Sequence, residues 1–123
     1  MAKSRGEALK SILKDLEAAT PDIEGSVVVS ADGLVMASAL PADVDEDRVA
    51  AMAAALLALG ERSATELDRG DLDDVFVKGE NGYVVLMSAG RDAVLGALCR
   101  SDAKLGIIFL DMRRAAQEIG EIV

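Results

Sequence analysis

Between Val49 and Leu59 the chain reads VAAMAAALLAL, without one polar side chain, inside a longer helical stretch from Asp45 to Asp68, DEDRVAAMAAALLALGERSATELD. A surface helix ordinarily keeps one apolar stripe and one charged face. A helix that is apolar all round must be covered all round, by a core, a membrane or another chain. This run is too short for a bilayer, which takes roughly 20 residues. Helical spacing divides it into two stripes. Val49, Met52, Ala53, Leu56 and Gly60 form one, expected to cover a sheet. Ala50, Ala54, Leu57 and Ala58 form the other, where small side chains would let a second backbone approach closely. The stretch is therefore expected to act both as core and as the contact with a partner copy.

The rest of the composition narrows the setting. A chain of 123 residues has room for one domain, expected to occupy 1–123, and can bury a real core. Hydrophobic residues make up 51%, which excludes a disordered chain. Phe76, Tyr83 and Phe109 are the only aromatics, so Val, Leu, Ile, Ala and Met must build the core. A net charge of −9 argues against nucleic acid or an anionic membrane as partner, since phosphate binding needs clustered Lys and Arg. Lys3 and Arg5 suggest an export signal at first sight, but Lys10, Lys14 and Asp15 interrupt any apolar region. A cytoplasmic protein without direct membrane insertion is expected. Cys99 is the only cysteine, so no disulfide framework exists.

Along the chain, Leu9, Ile12, Leu13 and Leu16 recur at helical spacing and predict a helix over 5–19, stopped by Thr20-Pro21. Two strands follow, Gly25 to Ala31 and Leu34 to Leu40, joined at Asp32-Gly33, a pair suited to a type I′ hairpin turn. Val27-Val28-Val29 does not alternate with polar residues, as expected of a strand covered on both faces. The long helix then begins behind Asp43 or Asp45 as N-cap, and its acidic start suits the helix dipole. Gly60, in mid-helix, costs about 1 kcal/mol relative to Ala, so a close crossing or a softened helix is expected there. Gly70 provides the stop. Three further strands are expected at Val75–Gly79, Tyr83–Ala89 and Ala93–Arg100, with turns at Asn81-Gly82 and Gly90-Arg91-Asp92. Ser101 or Asp102 should cap a last helix to Ile122, its stripe formed by Leu105, Ile108, Met112, Ala115, Ala116 and Ile119, with Asp111, Arg113, Arg114 and Glu118 facing water. The order α-β-β-α-β-β-β-α, with short hairpins and amphipathic helices, points to an α+β fold of three layers, α/β/α, around an antiparallel sheet.

Catalytic chemistry is hard to place on this chain. It has no histidine, which removes Ser-His and Cys-His nucleophile pairs and imidazole metal ligands. Neither GxxxxGK[ST] nor GxGxxG occurs, so no phosphate-cradling loop is present. Cys99 sits in a strand pattern between Leu98 and Arg100, as a buried inert thiol would. None of the 22 acidic residues stands apart as a pair from helix caps and solvated surface. No catalytic, cofactor-binding or metal-ligating residue is expected.

Three stretches carry a family likeness: GSVVVSADGLVMAS, the Ala-rich helix closing in LLALGERSATEL, and the terminal AKLGIIFLDMRRAAQEI. Together they resemble the Roadblock/LC7 domain family, and in particular its prokaryotic MglB-like members. The resemblance implies a profilin-like, five-stranded antiparallel sheet with the long helix on one face and the terminal helices on the other. It implies a homodimer in which the long helices pack antiparallel and the third strands meet edge to edge. Val75, Phe76 and Val77 would then join Ala50, Ala54, Leu57 and Ala58 in the interface. It further implies a non-catalytic platform that binds a small Ras-like GTPase and modulates its nucleotide state, as an activating protein or an effector platform. The GTPase-facing candidates are Glu61, Arg62, Thr65, Glu66 and Arg69, in the polar second half of the helix, where a solvated helix end accounts for the same charges. Arg62, Arg69 and Arg91 are the candidates for an arginine finger, and none is marked out. Two rivals stand beside this reading: a structural subunit of a motor or signalling complex without a GTPase, and a small-molecule sensor, which three aromatics serve poorly.

Overall fold

The computed structural model describes residues 3–123. Its elements follow the expected order: α1 (Arg5–Ala19), β1 (Ile23–Ser30), β2 (Val35–Ala39), α2 (Glu46–Glu66), β3 (Val75–Gly79), β4 (Gly82–Ser88), β5 (Ala93–Cys99) and α3 (Leu105–Ile122). The strands form one antiparallel sheet in the order β2-β1-β5-β4-β3, which places β1, β5 and β4 inside and β2 and β3 at the edges.

Two separate cores lie on the two faces of this sheet. On one, Leu9, Leu13 and Leu16 of α1 and Ile108, Met112 and Ile119 of α3 pack against Val28, Val85, Met87 and Leu95. On the other, Ala50, Ala53 and Leu57 of α2 pack against Val27, Val29, Leu86 and Val94. Successive strand residues point to opposite faces, so Val27, Val28 and Val29 are buried in alternate cores. That is why the triplet lacks alternation. At the β2 edge a bulge leaves Met36 as the extra residue, since Val28 pairs with Ala37 and Val29 with Val35. A short, bulged edge is poorly suited to recruiting a further strand.

Several local expectations are corrected. The β1–β2 connection is a three-residue loop, Ala31-Asp32-Gly33, with Gly33 N–H donating to the Ser30 carbonyl at 2.9 Å. Gly33 has φ +87°, whereas Asp32 stays out of the left-handed region, so the turn is not type I′. It is a type I turn closed by a left-handed glycine, the other common hairpin solution. In the β3–β4 hairpin Gly79 pairs with Gly82, which leaves Glu80-Asn81 as the two-residue loop rather than Asn81-Gly82. Helix α2 is capped by Asp45, whose Oδ1 accepts from Asp47 N–H at 3.1 Å and Arg48 N–H at 3.3 Å. Neither Ser101 nor Asp102 caps α3. Lys104 is the cap residue, its N–H reaches Asp22 Oδ2 at 3.4 Å, and Asp102 is engaged by Arg100 at 3.2 Å. Asp111 does not face water as expected. It is half-buried and accepts from Thr20 Oγ1 at 2.6 Å, tying α3 to the end of α1. Gly60 is a close crossing: a Cβ built there would lie 2.5 Å from Val75 Cγ2 and 3.2 Å from Leu72 Cδ2.

Candidate partner-binding surface

The rotation of α2 about its own axis decides which apolar side chains remain outside. Ala50 and Leu57, expected in the partner-facing stripe, turn into the core and are buried by the sheet. Ala54 is half-buried, and a Cβ built at Gly33 would lie 3.7 Å from its methyl, so this side of the helix is occupied by the β1–β2 loop. Only Ala58 of that expected stripe is exposed. Met52, expected in the sheet-covering stripe, is 58% exposed, and Leu59 61%. With Ala51 and Ala55, also exposed, they form the outward face of the helix. The expected division is corrected: the helix is turned so that Met52, Ala55 and Leu59 point outward in place of Ala50 and Leu57. The spacing 52, 55, 59 was available in the sequence as a third helical row. Inside the apolar run nothing marks which row is outermost, but Arg48 before it and Arg62 and Glu66 after it share the face of Met52, Ala55 and Leu59, a signal that the flanks carried.

The polar half of α2 continues from this face. Glu61, Arg62, Thr65, Glu66 and Arg69 are all exposed. Arg62 Nε donates to Glu66 Oε1 at 3.0 Å, an i,i+4 pair with both side chains well solvated. Such pairs are worth about 0.3–0.5 kcal/mol, so this one orders the surface more than it stabilises the fold. Arg69 lies beyond the helix, after Asp68 takes the left-handed conformation at φ 56°. Arg91, on the β4–β5 loop, shares a shallow cleft with Ala54, Ala58 and Glu61, which brings one more cation to the same flank.

On the other flank lies an apolar cavity of about 160 Å³, between Val49, Met52 and Leu56 of the helix and Leu40, Val84 and Leu98 of the sheet. Arg48 stands alone as a charged group among its lining residues. The helix therefore leaves part of the sheet's apolar face uncovered. β3 adds the third part of the surface. Val75 is half-buried and packs on the α2 core, whereas Phe76 and Val77 are exposed at 49% and 44%. Register separates them: Phe76, opposite Val85, projects toward α3, and Val75 and Val77 project toward α2. As an edge strand, β3 has one side of its backbone ladder unpaired within the chain.

The thiol of Cys99 lies far from any nucleophile's role. Burial, with the nearby Glu24 and Asp22 carboxylates adding to it, pushes its pKa up to about 11. Among the described residues no group of three His, Cys, Asp or Glu side chains is placed to hold a metal ion, and no helix is long and apolar enough to cross a membrane. The arrangement offers a contact surface: an apolar helix row, an open strand edge and a mixed-charge helix end.

The chain belongs to the Roadblock/LC7 domain family, whose profile matches residues 10–98. An uncharacterized protein of Methanocaldococcus jannaschii is 42% identical over 100 residues, covering 81% of this chain and 87% of that protein. In three dimensions the chain is similar to an MglB solved in a tetrameric arrangement, at a TM-score of 0.88 and 21% identity, covering 99% of this chain and 92% of the other. It is similar also to the gliding protein MglB of Thermus thermophilus, at 0.84 and 20%, covering 99% and 93%. At those identities the likeness is one of fold.

Proposed function

We propose that the chain forms a homodimer through α2 and the β3 edge, and that the dimer is a non-catalytic platform for a small Ras-like GTPase whose nucleotide state it modulates. The observation that carries this reading is the outward row Met52, Ala55 and Leu59, exposed in the single chain and continuous with the charged row that follows it. A twofold axis near Ala55 sets Met52 of one protomer beside Leu59 of its partner. Ala58, Val75, Phe76 and Val77 complete the contact, Val77 on the helix side and Phe76 on the opposite side of the paired strands. The MglB seen in a tetrameric arrangement shows that this fold can self-associate in another protein.

Pairing of this kind places Glu61, Arg62, Thr65, Glu66 and Arg69 of the two protomers at the two ends of one face, on the order of 20–30 Å apart along the helices. A GTPase resting there would prefer its GTP form if its switch loops make the contact, because the γ-phosphate orders them. Rim charges act mainly on association rate and salt dependence. Arg62→Glu and Arg69→Glu should therefore weaken binding while leaving the dimer folded. The test is binding to each Ras-like GTPase of the same genome, loaded with GDP or with a non-hydrolysable GTP analogue. Binding that favours the GTP analogue and falls in the Arg variants supports the platform. Absence of binding in both states would leave a structural subunit as the reading.

A further inference from the structure

The layer between α2 and the sheet is not filled. Gly96 of β5, the central strand, stands on the α2 side of the sheet between Val27 of β1 and Leu86 of β4. Opposite it on the helix stands Ala53: a Cβ built at Gly96 would lie 3.9 Å from the Ala53 methyl. A small residue therefore faces a small one across the layer, and neither sends a side chain into the space beside them. That space is the cavity of about 160 Å³ at the flank of the helix. Val27, Ala53, Leu86 and Gly96 at its inner end are buried, whereas Leu56, Val84 and Leu98 nearer its mouth are half-buried. The cavity is thus a pit that enters the core, unlike the apolar rows that stand on the outside of α2 and α3.

Volume and lining together restrict what can enter. Pockets for cofactors and drug-sized ligands measure about 300–1,000 Å³, so a nucleotide is too large. An apolar cavity of about 150 Å³ lined by aliphatic side chains stays dry and takes benzene or xenon. Among the described residues no polar atom is exposed on the wall, and no buried side-chain nitrogen or oxygen lacks a hydrogen-bond partner. A polar group entering the pit would lose its water and find nothing in exchange. Arg48 contributes only the aliphatic part of its side chain, and it shares its turn with Asp45 and Asp47, so charge does not select an anion at the mouth. We propose that this cavity binds a small uncharged apolar molecule, a hydrocarbon ring or chain of about six carbon atoms, held between α2 and the sheet by burial alone. The site does not depend on the GTPase reading. Met52, at the mouth, belongs also to the outward row of α2, so the rival occupant is a side chain of a second copy.

The test titrates benzene, and separately xenon under pressure, into the full-length protein and follows its methyl NMR signals. Expected are saturable shifts at Met52, Val27, Val84, Leu86 and Leu98, with Leu9, Leu13 and Ile119 on the opposite face of the sheet unmoved. Ala53→Leu would occupy the cavity from the helix and should weaken benzene binding by about tenfold or more. Val84→Phe would occupy it from the half-buried rim of the sheet with the same result, and decides the matter where Ala53→Leu fails to fold. Leu110→Ala, exposed on α3, should change nothing. The proposal is overturned by shifts that do not saturate, by shifts on both faces of the sheet alike, or by unchanged affinity in a folded filling variant. It is overturned also if benzene shifts the cavity methyls of Leu59→Glu but not those of the wild type, since a partner's side chain would then be the occupant.

Discussion

The two faces of the sheet are closed by different means. On one, α1 and α3 bring Leu9, Leu13, Leu16, Ile108, Met112 and Ile119, large side chains that are buried without remainder. On the other, a single helix brings Ala50, Ala53 and Leu57, sits close because two of the three are alanines, and leaves a cavity of about 160 Å³ at its flank. Alanine allows close approach but covers little area. Met52 and Leu59 consequently stand in solvent on the helix with the longest unbroken apolar run. Full burial of such a side chain is worth about 1.5–3 kcal/mol, so covering this row in the proposed dimer would add to stability. Each face leaves some apolar side chains outside, Ile107 and Leu110 on α3 and Met52 and Leu59 on α2, but only the α2 side also leaves the apolar face of the sheet partly uncovered.

That contrast can be broken in order of effect. Ile119→Ala on the two-helix face should cost about 2–5 kcal/mol of stability, because a buried branched side chain leaves a cavity that the packed helices cannot close. Urea unfolding would show it, and a loss under about 1 kcal/mol would mean that this face is looser than its packing implies. Leu59→Glu should leave the protomer folded yet weaken the dimer by about 2 kcal/mol or more, the range of a central contact residue. Sedimentation against circular dichroism separates the two effects, and an unchanged dimer would remove Leu59 from the interface. Leu57→Glu, two residues earlier, should instead unfold the protomer, since it places a charge in the core.

Gly60→Ala sharpens the comparison at the β3 edge. Helix propensity alone predicts a gain of about 1 kcal/mol. The methyl would meet Val75 Cγ2 at 2.5 Å, however, and such overpacking costs about 1–3 kcal/mol. A net loss is expected, whereas a net gain would show that the 72–75 segment yields freely. The smallest effect concerns Glu17, half-buried on α1 beside Ser26 of β1. Burial raises its pKa above 4.5, against a lowering by the Ser26 hydroxyl that donates to it at 2.5 Å. The folded state therefore holds this proton more tightly than the unfolded state, and stability from this group falls as pH rises from 4.5 through the raised value. Glu17→Gln should remove that slope. Its urea midpoint, compared with wild type at pH 5 and pH 7, should gain more at pH 7.

The sequence by itself determined the elements, their order and the antiparallel sheet, because each rests on short-range chemistry. Leucine spacing in α1, the unbroken Val27-Val28-Val29 and an aspartate cap at position 43 or 45 act within a few residues of where they stand, whereas the choice of Asp45 and the turn types at both hairpins were settled only in the structure. It determined also that α2 carries more apolar surface than one sheet face can use. Only the tertiary structure decided which way that surface points. An amphipathic helix is oriented by its polar face. VAAMAAALLAL has none of its own, so beyond the mark left by Arg48, Arg62 and Glu66 at its flanks its rotation is set by contacts remote in sequence: the 31–33 loop against Ala51 and Ala54, and Leu72 and Val75 against Gly60. Those contacts put Ala50 and Leu57 inside and Met52 and Leu59 outside. The meeting of Phe76, Tyr83 and Phe109, far apart along the chain, was likewise invisible until the strands paired in register and α3 lay across them.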